Sequence, residues 1–153
     1  LRQAIRSGEF TGNTSGYSPG FVQCNLTILP ADWANDFLRF CQANPKPCPL
    51  IATSNAPGDT GLPLLGDIDI RTDVPSYRVF RDGQLSEEVP DISDYWRDDL
   101  VIFALGCSLS FTSVMDSFCW GVIGCWGRVA ALLWRLDSDE GVVAASGRLL
   151  VKT

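Results

Sequence analysis

Between Val22 and Ile28 apolar and polar residues alternate without a break: Val22, Cys24, Leu26 and Ile28 against Gln23, Asn25 and Thr27. Successive side chains of a strand point to opposite faces, so this period of two predicts a strand with one apolar and one polar face. Cys24 then points into the core. From Ala31 the period changes. Trp33, Phe37, Phe40 and Cys41 follow i, i+4, i+7 and i+8, the apolar stripe of an amphipathic helix, which Pro45 stops. Asn44, just before that proline, is pushed toward an extended conformation.

A second strand is predicted in "PLIAT" (Pro49–Thr53), and a hairpin in "YRVFRDGQLSEEV" (Tyr77–Val89) with Asp82–Gly83 at its turn. "DISDYWRDDLVIFALG" (Asp91–Gly106) reads as a helix. Trp96, Leu100 and Phe103 stand at helical spacing, Asp91 is a candidate N-cap, Asp94, Asp98 and Asp99 load the early turns, and Gly106 sits where a C′ glycine belongs. Placing "LGCSLSF" (Leu105–Phe111) after a helix argues against a nucleophile elbow, which follows a strand. Ser110 is then a candidate N-cap of a following helix. The free N–H groups there, with the Ser108 and Ser110 hydroxyls, would form a carboxylate cradle.

The segments between these elements carry the candidate chemistry. "EFTGNTSGYSPG" (Glu9–Gly20) is turn chemistry without Walker or dinucleotide spacing, read as a structural loop before a phosphate wrap. "NPKPCPL" (Asn44–Leu50) is stiffened by three prolines at alternate positions. Asn44 and Lys46 there either grip an anion or simply ride a tight crossover. In "GDIDIRTDV" (Gly66–Val74), Asp69, Arg71 and Asp73 alternate, and an extended backbone would put them on one face. They read either as a surface ion network or as a carboxylate clamp beside an acid–base group.

Composition narrows the chemistry. The 153 residues suit one domain. The chain has no histidine, so Ser-His-Asp and Cys-His catalysis and His-ligated zinc are excluded within it. A net charge of −6 argues against a nucleic-acid partner. The uncharged run between Asp99 and Asp116 is too short for a bilayer span. The six cysteines show no C-x-x-C pair, and reduced cytosolic thiols are the expected state, so the sequons at Asn13 and Asn25 carry no meaning. Cys107 as a nucleophile needs a depressed pKa, and no His or sequence-near Lys offers one. With Leu1 in first place, the expectation is that something upstream was removed or not included.

Charge also divides the chain. Residues 1–111 carry 14 acids and 8 bases, whereas residues 112–153 carry 4 of each and three of the five tryptophans.

"IRSGEFTGNTSGYSPGFVQCNLTILP", "FCQANPKPCPL", "DIDIRTDVPSYRVFRDG" and "WRDDLVIFALGCSLSF" together resemble the hydro-lyase family that includes D-glutamate cyclase. The resemblance covers residues 1–111 and implies an α/β domain, a layered mixed sheet with flanking helices, here an incomplete version of the family domain. It further implies a lyase that eliminates water, closing D-glutamate to 5-oxo-D-proline, with no cofactor. In that reading Arg71 and Lys46 bind substrate carboxylates with Asn44, Ser108 and Ser110, Asp69 or Asp73 is the base, and Tyr77 or Cys107 assists. The expected partner is a small carboxylate or amino acid, without nucleic acid or membrane, and with a homo-oligomer left open. The expected location is the cytoplasm, or the mitochondrial matrix in a eukaryote.

The family's loop reads G-C-S-F-S-F-E, whereas here Leu109 replaces a phenylalanine and Thr112 stands where the acid is expected. Residues 112–153 do not resemble the family, as a shifted reading frame, a retained intron or a gene fusion would produce. Within them "RVAALLWRL" suggests a short helix and "RLLVKT" a strand. The alternative function is therefore an inactive family member that acts at most as a binding or interaction module.

Overall fold

The computed structural model describes residues 1–12, 14, 17, 21–63, 65–106, 142–144 and 148–152. Helix α1 (Arg2–Arg6) precedes β1 (Phe21–Pro30), α2 (Ala31–Ala43), β2 (Leu50–Thr53), the hairpin β3 (Tyr77–Arg81) and β4 (Gln84–Val89), and β5 (Leu100–Gly106). Strands β6 (Val142–Ala144) and β7 (Arg148–Lys152) follow. All seven strands join one sheet in the order β2-β5-β1-β6-β3-β4, with β7 also paired to β1. The class is α/β as expected, and every described pairing is antiparallel.

Two cores flank the sheet. On one face α2 lays Phe37 and Cys41 against Leu29, Phe103 and Leu105. The Phe37 and Phe103 rings meet edge to face, 4.9 Å between centroids, an arrangement that aromatic quadrupoles favour. On the other face Cys24, Leu26 and Ile28 of β1 and Ile102 of β5 are covered by Leu62, Leu65, Ile68, Ile70 and Val74 from the long 54–76 connection. The amphipathic stripe thus found its partner, and Cys24 points inward as its alternation required.

Three expectations are corrected. First, Asp91–Gly106 is not a helix. A 3-10 turn over Ser93–Tyr95, opened by the Asp91 carboxylate accepting the Ser93 N–H at 2.7 Å, leads into strand β5. β5 lies between β1 and β2 and is covered on both faces, which favours an unbroken apolar run over alternation. Such a run has no period that separates strand from helix. Gly106 is therefore a strand residue and not a helix stop. Its N–H donates to Pro49 O at 2.8 Å, and a Cβ there would lie 3.1 Å from the Pro49 ring. "LGCSLSF" begins on a strand, so the objection to a nucleophile elbow drawn from a preceding helix falls away.

Second, Asp69, Arg71 and Asp73 do not lie on an extended segment. The N–H groups of Thr72 and Asp73 both donate to Asp69 O, at 3.2 and 2.9 Å, so the backbone coils there, pairing Asp69 with Arg71 while Asp73 turns to Arg6. Third, the polar face of β1 is not wet: Gln23, Asn25 and Thr27 are exposed by only 2%, 6% and 1%. The hairpin forms as expected, with Asp82 and Gly83 both at positive φ, 50° and 70°, as a two-residue turn requires. β7 covers the strand expected in "RLLVKT", while the helix expected in "RVAALLWRL" lies outside the described residues.

Candidate functional site

The site residues sort by which face of the sheet they reach. Asp69, Arg71, Asp73 and Tyr77 belong to the 66–77 segment, whose apolar residues cover the β1 face carrying Leu26 and Ile28. Asn44 and Lys46 leave the C-terminus of α2, which packs on the opposite face with Cys48. The sheet stands between them, so a clamp pairing Arg71 with Lys46 is not assembled. Asn44 is committed elsewhere: its Nδ2 donates to Phe40 O at 2.8 Å, satisfying a carbonyl of the last helical turn. Lys46 is exposed on the turn that follows. Cys107, Ser108 and Ser110 lie outside the described residues.

Within the 66–77 segment two carboxylates have different partners. Asp69 grips Arg71 through Nε at 2.9 Å and Nη2 at 2.7 Å, and also accepts the Arg71 backbone N–H at 3.0 Å. Both side chains of this pair are about one-third exposed, 35% for Arg71 and 32% for Asp69. The Arg71 guanidinium holds the Asp69 carboxyl below the usual carboxylate range, against the upward push of partial burial. Asp69 in turn raises the Arg71 pKa, and the pairing leaves Nη1 uncommitted to Asp69.

Asp73 is a different object. Its side chain is fully buried, and it accepts two bonds from Arg6 of α1, Nε at 2.6 Å and Nη2 at 2.5 Å, plus the Asp69 N–H at 3.1 Å. Burial pushes its carboxyl upward, but the Arg6 guanidinium and the Asp69 N–H outweigh that and leave it below the ordinary value. Arg2 makes a second, exposed tie from α1 to Asp67 at 2.8 Å. Arg6 was not foreseen as a partner, because neither arginine of a five-residue helix carries a sequence signal pointing 67 residues ahead.

Tyr77 is wholly buried, and its hydroxyl donates to Ile70 O. Burial, with the nearby Asp69 and Asp73 charges, raises its pKa well above the ordinary tyrosine value. It braces the 70–77 coil and is out of reach of a substrate. Asp73 is likewise enclosed, so Arg71, positioned by Asp69, is the charged group among these four that can receive an incoming anion.

Sequence reasoning passed over the neutral stripe on β1. Gln23 Nε2 donates to Thr14 Oγ1 at 3.1 Å, and Asn25 and Thr27 follow on the same face of the strand. The missed signal was the kind of polar residue: amides and a hydroxyl without any Lys or Glu, unlike a solvent face. Among the described residues no cluster of three or more His, Cys, Asp or Glu side chains has metal-binding geometry, and no helix is long and apolar enough to cross a membrane.

The comparisons with known proteins point to a single family. The chain is 60% identical over 117 residues to a protein of Afipia carboxidovorans named "Putative hydro-lyase", an alignment covering 76% of this chain and 43% of that protein. A Jannaschia relative of the same name is 63% identical over 116 residues, 75% of this chain and 43% of its own length. A Ruegeria pomeroyi relative, also so named, is 49% identical over 146 residues, 93% of this chain and 48% of its own. No family model matches the chain. The relatives that share this α/β domain, with its one-third exposed Arg–Asp pair, are thus all named for hydro-lyase chemistry. The chain belongs to this hydro-lyase family, and it spans less than half the length of the relatives it matches.

Proposed function

We propose that the chain is the N-terminal portion of a carbon–oxygen lyase that closes D-glutamate to 5-oxo-D-proline. The observation that carries this reading is the Asp69–Arg71 pair within a chain 60% identical to a protein named for hydro-lyase chemistry. In the reaction the α-nitrogen lone pair attacks the γ-carboxyl carbon, the C–N bond forms and a C–O bond breaks. Two of the three ammonium hydrogens leave with that oxygen as water. Holding amine against carboxyl supplies up to roughly 7–11 kcal/mol of the barrier lowering in well-oriented intramolecular reactions.

Arg71 suits one substrate carboxylate, since guanidinium edges bind carboxylates in a fixed planar geometry. Asp69, with its lowered pKa, is a poor proton acceptor at neutral pH and acts as a positioning residue that fixes the Arg71 fork. Asp73 and Tyr77 support the segment from beneath. In this reading residues 1–111 carry the family part and 112–153 a more divergent tail, into which the Ruegeria pomeroyi alignment over 93% of the chain nevertheless extends and whose β6 and β7 lie in the same sheet. A cytoplasmic location accords with the reduced-thiol reading. The second reading is an inactive family member that binds without turnover.

One experiment separates the two. Purified chain incubated with D-glutamate should release 5-oxoproline, read by NMR, above a heat-denatured control. Binding without release would leave the binding-module reading; neither binding nor release would sink both.

A further inference from the structure

Helix α2 carries a second ridge beside its core stripe. Ala31, Ala34, Asn35 and Leu38 follow i, i+3, i+4 and i+7, and the two alanines keep the helix side thin where it faces the end of β2. The result is an open cleft of about 300 Å3, walled on its other side by the 53–57 segment and floored by Val101 and Phe103 of β5. Small-molecule sites run from roughly 300 to 1,000 Å3 and combine apolar walls with a few placed polar groups. Here the polar groups are hydroxyls and side-chain amides, Asn35, Ser54 and Asn55 among them, and no lining side chain is charged. Ser54 is the fixed member. It is 8% exposed, its N–H donates to Ile102 O at 3.0 Å, and its Oγ accepts the Ile102 N–H at 3.1 Å. These two bonds continue the sheet pairing one residue past β2 and hold the serine in place. They use a lone pair of Oγ and leave the hydroxyl hydrogen, which finds no acceptor among the described residues. A hydroxyl buried to this degree is costly unless something accepts from it.

We propose that this cleft binds a small uncharged molecule with an apolar body and a carbonyl oxygen that accepts from the Ser54 hydroxyl. Leu38, Val101 and Phe103 suit the apolar body. Asn35 and Asn55, both exposed, offer donors and acceptors to an amide N–H or a further carbonyl. The same lining rejects charge, because an ion taken out of water needs a counter-charge that no lining side chain supplies. Glutamate, with two carboxylates and an ammonium, does not suit it. The cleft also lies on the α2 face of the sheet, across from the segment that carries Arg71. It is therefore a site separate from that of the proposed cyclisation, and it stands whether or not the chain turns over D-glutamate.

Probes of similar size and different charge test the site. N-benzylacetamide, 3-phenylpropanoate and 3-phenylpropylammonium are titrated separately into 15N-labelled chain, following the Ser54 and Asn55 backbone amides and the Asn35 side-chain amide. The uncharged probe should give saturating shifts there, and the two ions should bind at least about tenfold more weakly. No saturating shift with N-benzylacetamide, or equal affinity for either ion, would overturn the proposal. Ala34→Leu fills the cleft from the helix side and should abolish the shifts while circular dichroism shows the fold intact; retained binding would overturn the location. Ser54→Ala should weaken N-benzylacetamide about tenfold, as for a lost hydrogen bond. Unchanged affinity in that variant would reduce Ser54 to a cap on the Ile102 N–H and overturn its part in recognition. Release of 5-oxoproline from D-glutamate should be the same in Ala34→Leu as in the parent, so failure of the cleft and failure of the cyclisation are read apart.

Discussion

Asp69 and Asp73 lie four residues apart, each bonded twice to an arginine and each with a depressed pKa, yet they serve different ends. Asp73 is sealed, and its partner comes from the other end of the chain's first hundred residues, so the pair ties α1 to the body. Asp69 is one-third open, and its partner is two residues away, so the pair ties nothing distant. A pKa shift alone would not separate them. Burial and the sequence distance of the partner do, and they assign Asp73 to stability and Asp69 to holding a cation at the surface.

The largest expected effect is on the Asp73 side of that contrast. Asp73→Ala removes three charge-assisted bonds from a buried site and should cost about 2–3 kcal/mol, read by urea unfolding. A loss no greater than that of an average surface change would refute the tie. Next comes Gly58, which anchors the long connection at φ +83° with its N–H bonded to Leu100 O. An added Cβ would sit 2.9 Å from Asp98 O, so Gly58→Ala should cost about 2 kcal/mol through strain and displaced backbone. An unchanged unfolding midpoint would mean that the loop relaxes freely.

Acid sharpens the comparison. Both folded carboxyl pKa values lie below the ordinary value of 3.8, so each contributes stability at neutral pH that is lost as pH falls below that value through the folded pKa. Arg6→Ala takes away what offsets burial at Asp73, whose pKa should then rise, and the acid-unfolding midpoint moves to higher pH. Followed by circular dichroism, the Arg71→Ala variant should move it less. Equal movement would erase the distinction between the two pairs.

Much of the fold was legible. The 3.6-residue stripe of α2 and the Asp82–Gly83 turn are local signals, and local physics settled them. β5 was misread because a strand buried on both faces loses its alternation, and Leu100 and Phe103 then mimic helical spacing. The site was less legible for a related reason. Alternation of Asp69, Arg71 and Asp73 suggested a shared face, but the Asp69 carbonyl captures two following N–H groups and coils the backbone. Gln23, Asn25 and Thr27 were visible as a polar face, yet only the third dimension shows that face to be covered. The β3–β4 hairpin, by contrast, carries Arg78 and Glu88 on its outer surface, paired at 2.5 Å and half exposed, as an outward face should.

The most direct test of the account is D-glutamate affinity and Tm measured together on Arg71→Ala. The exposed pair is worth about 0–1 kcal/mol to folding, so Tm should stay within about 4 °C of the parent. Affinity for D-glutamate should fall at least about tenfold, as expected for a lost charge-assisted bond to carboxylate. Unchanged affinity, or a collapse in Tm, would contradict the assignment of Arg71 to substrate and of Asp73 alone to the fold.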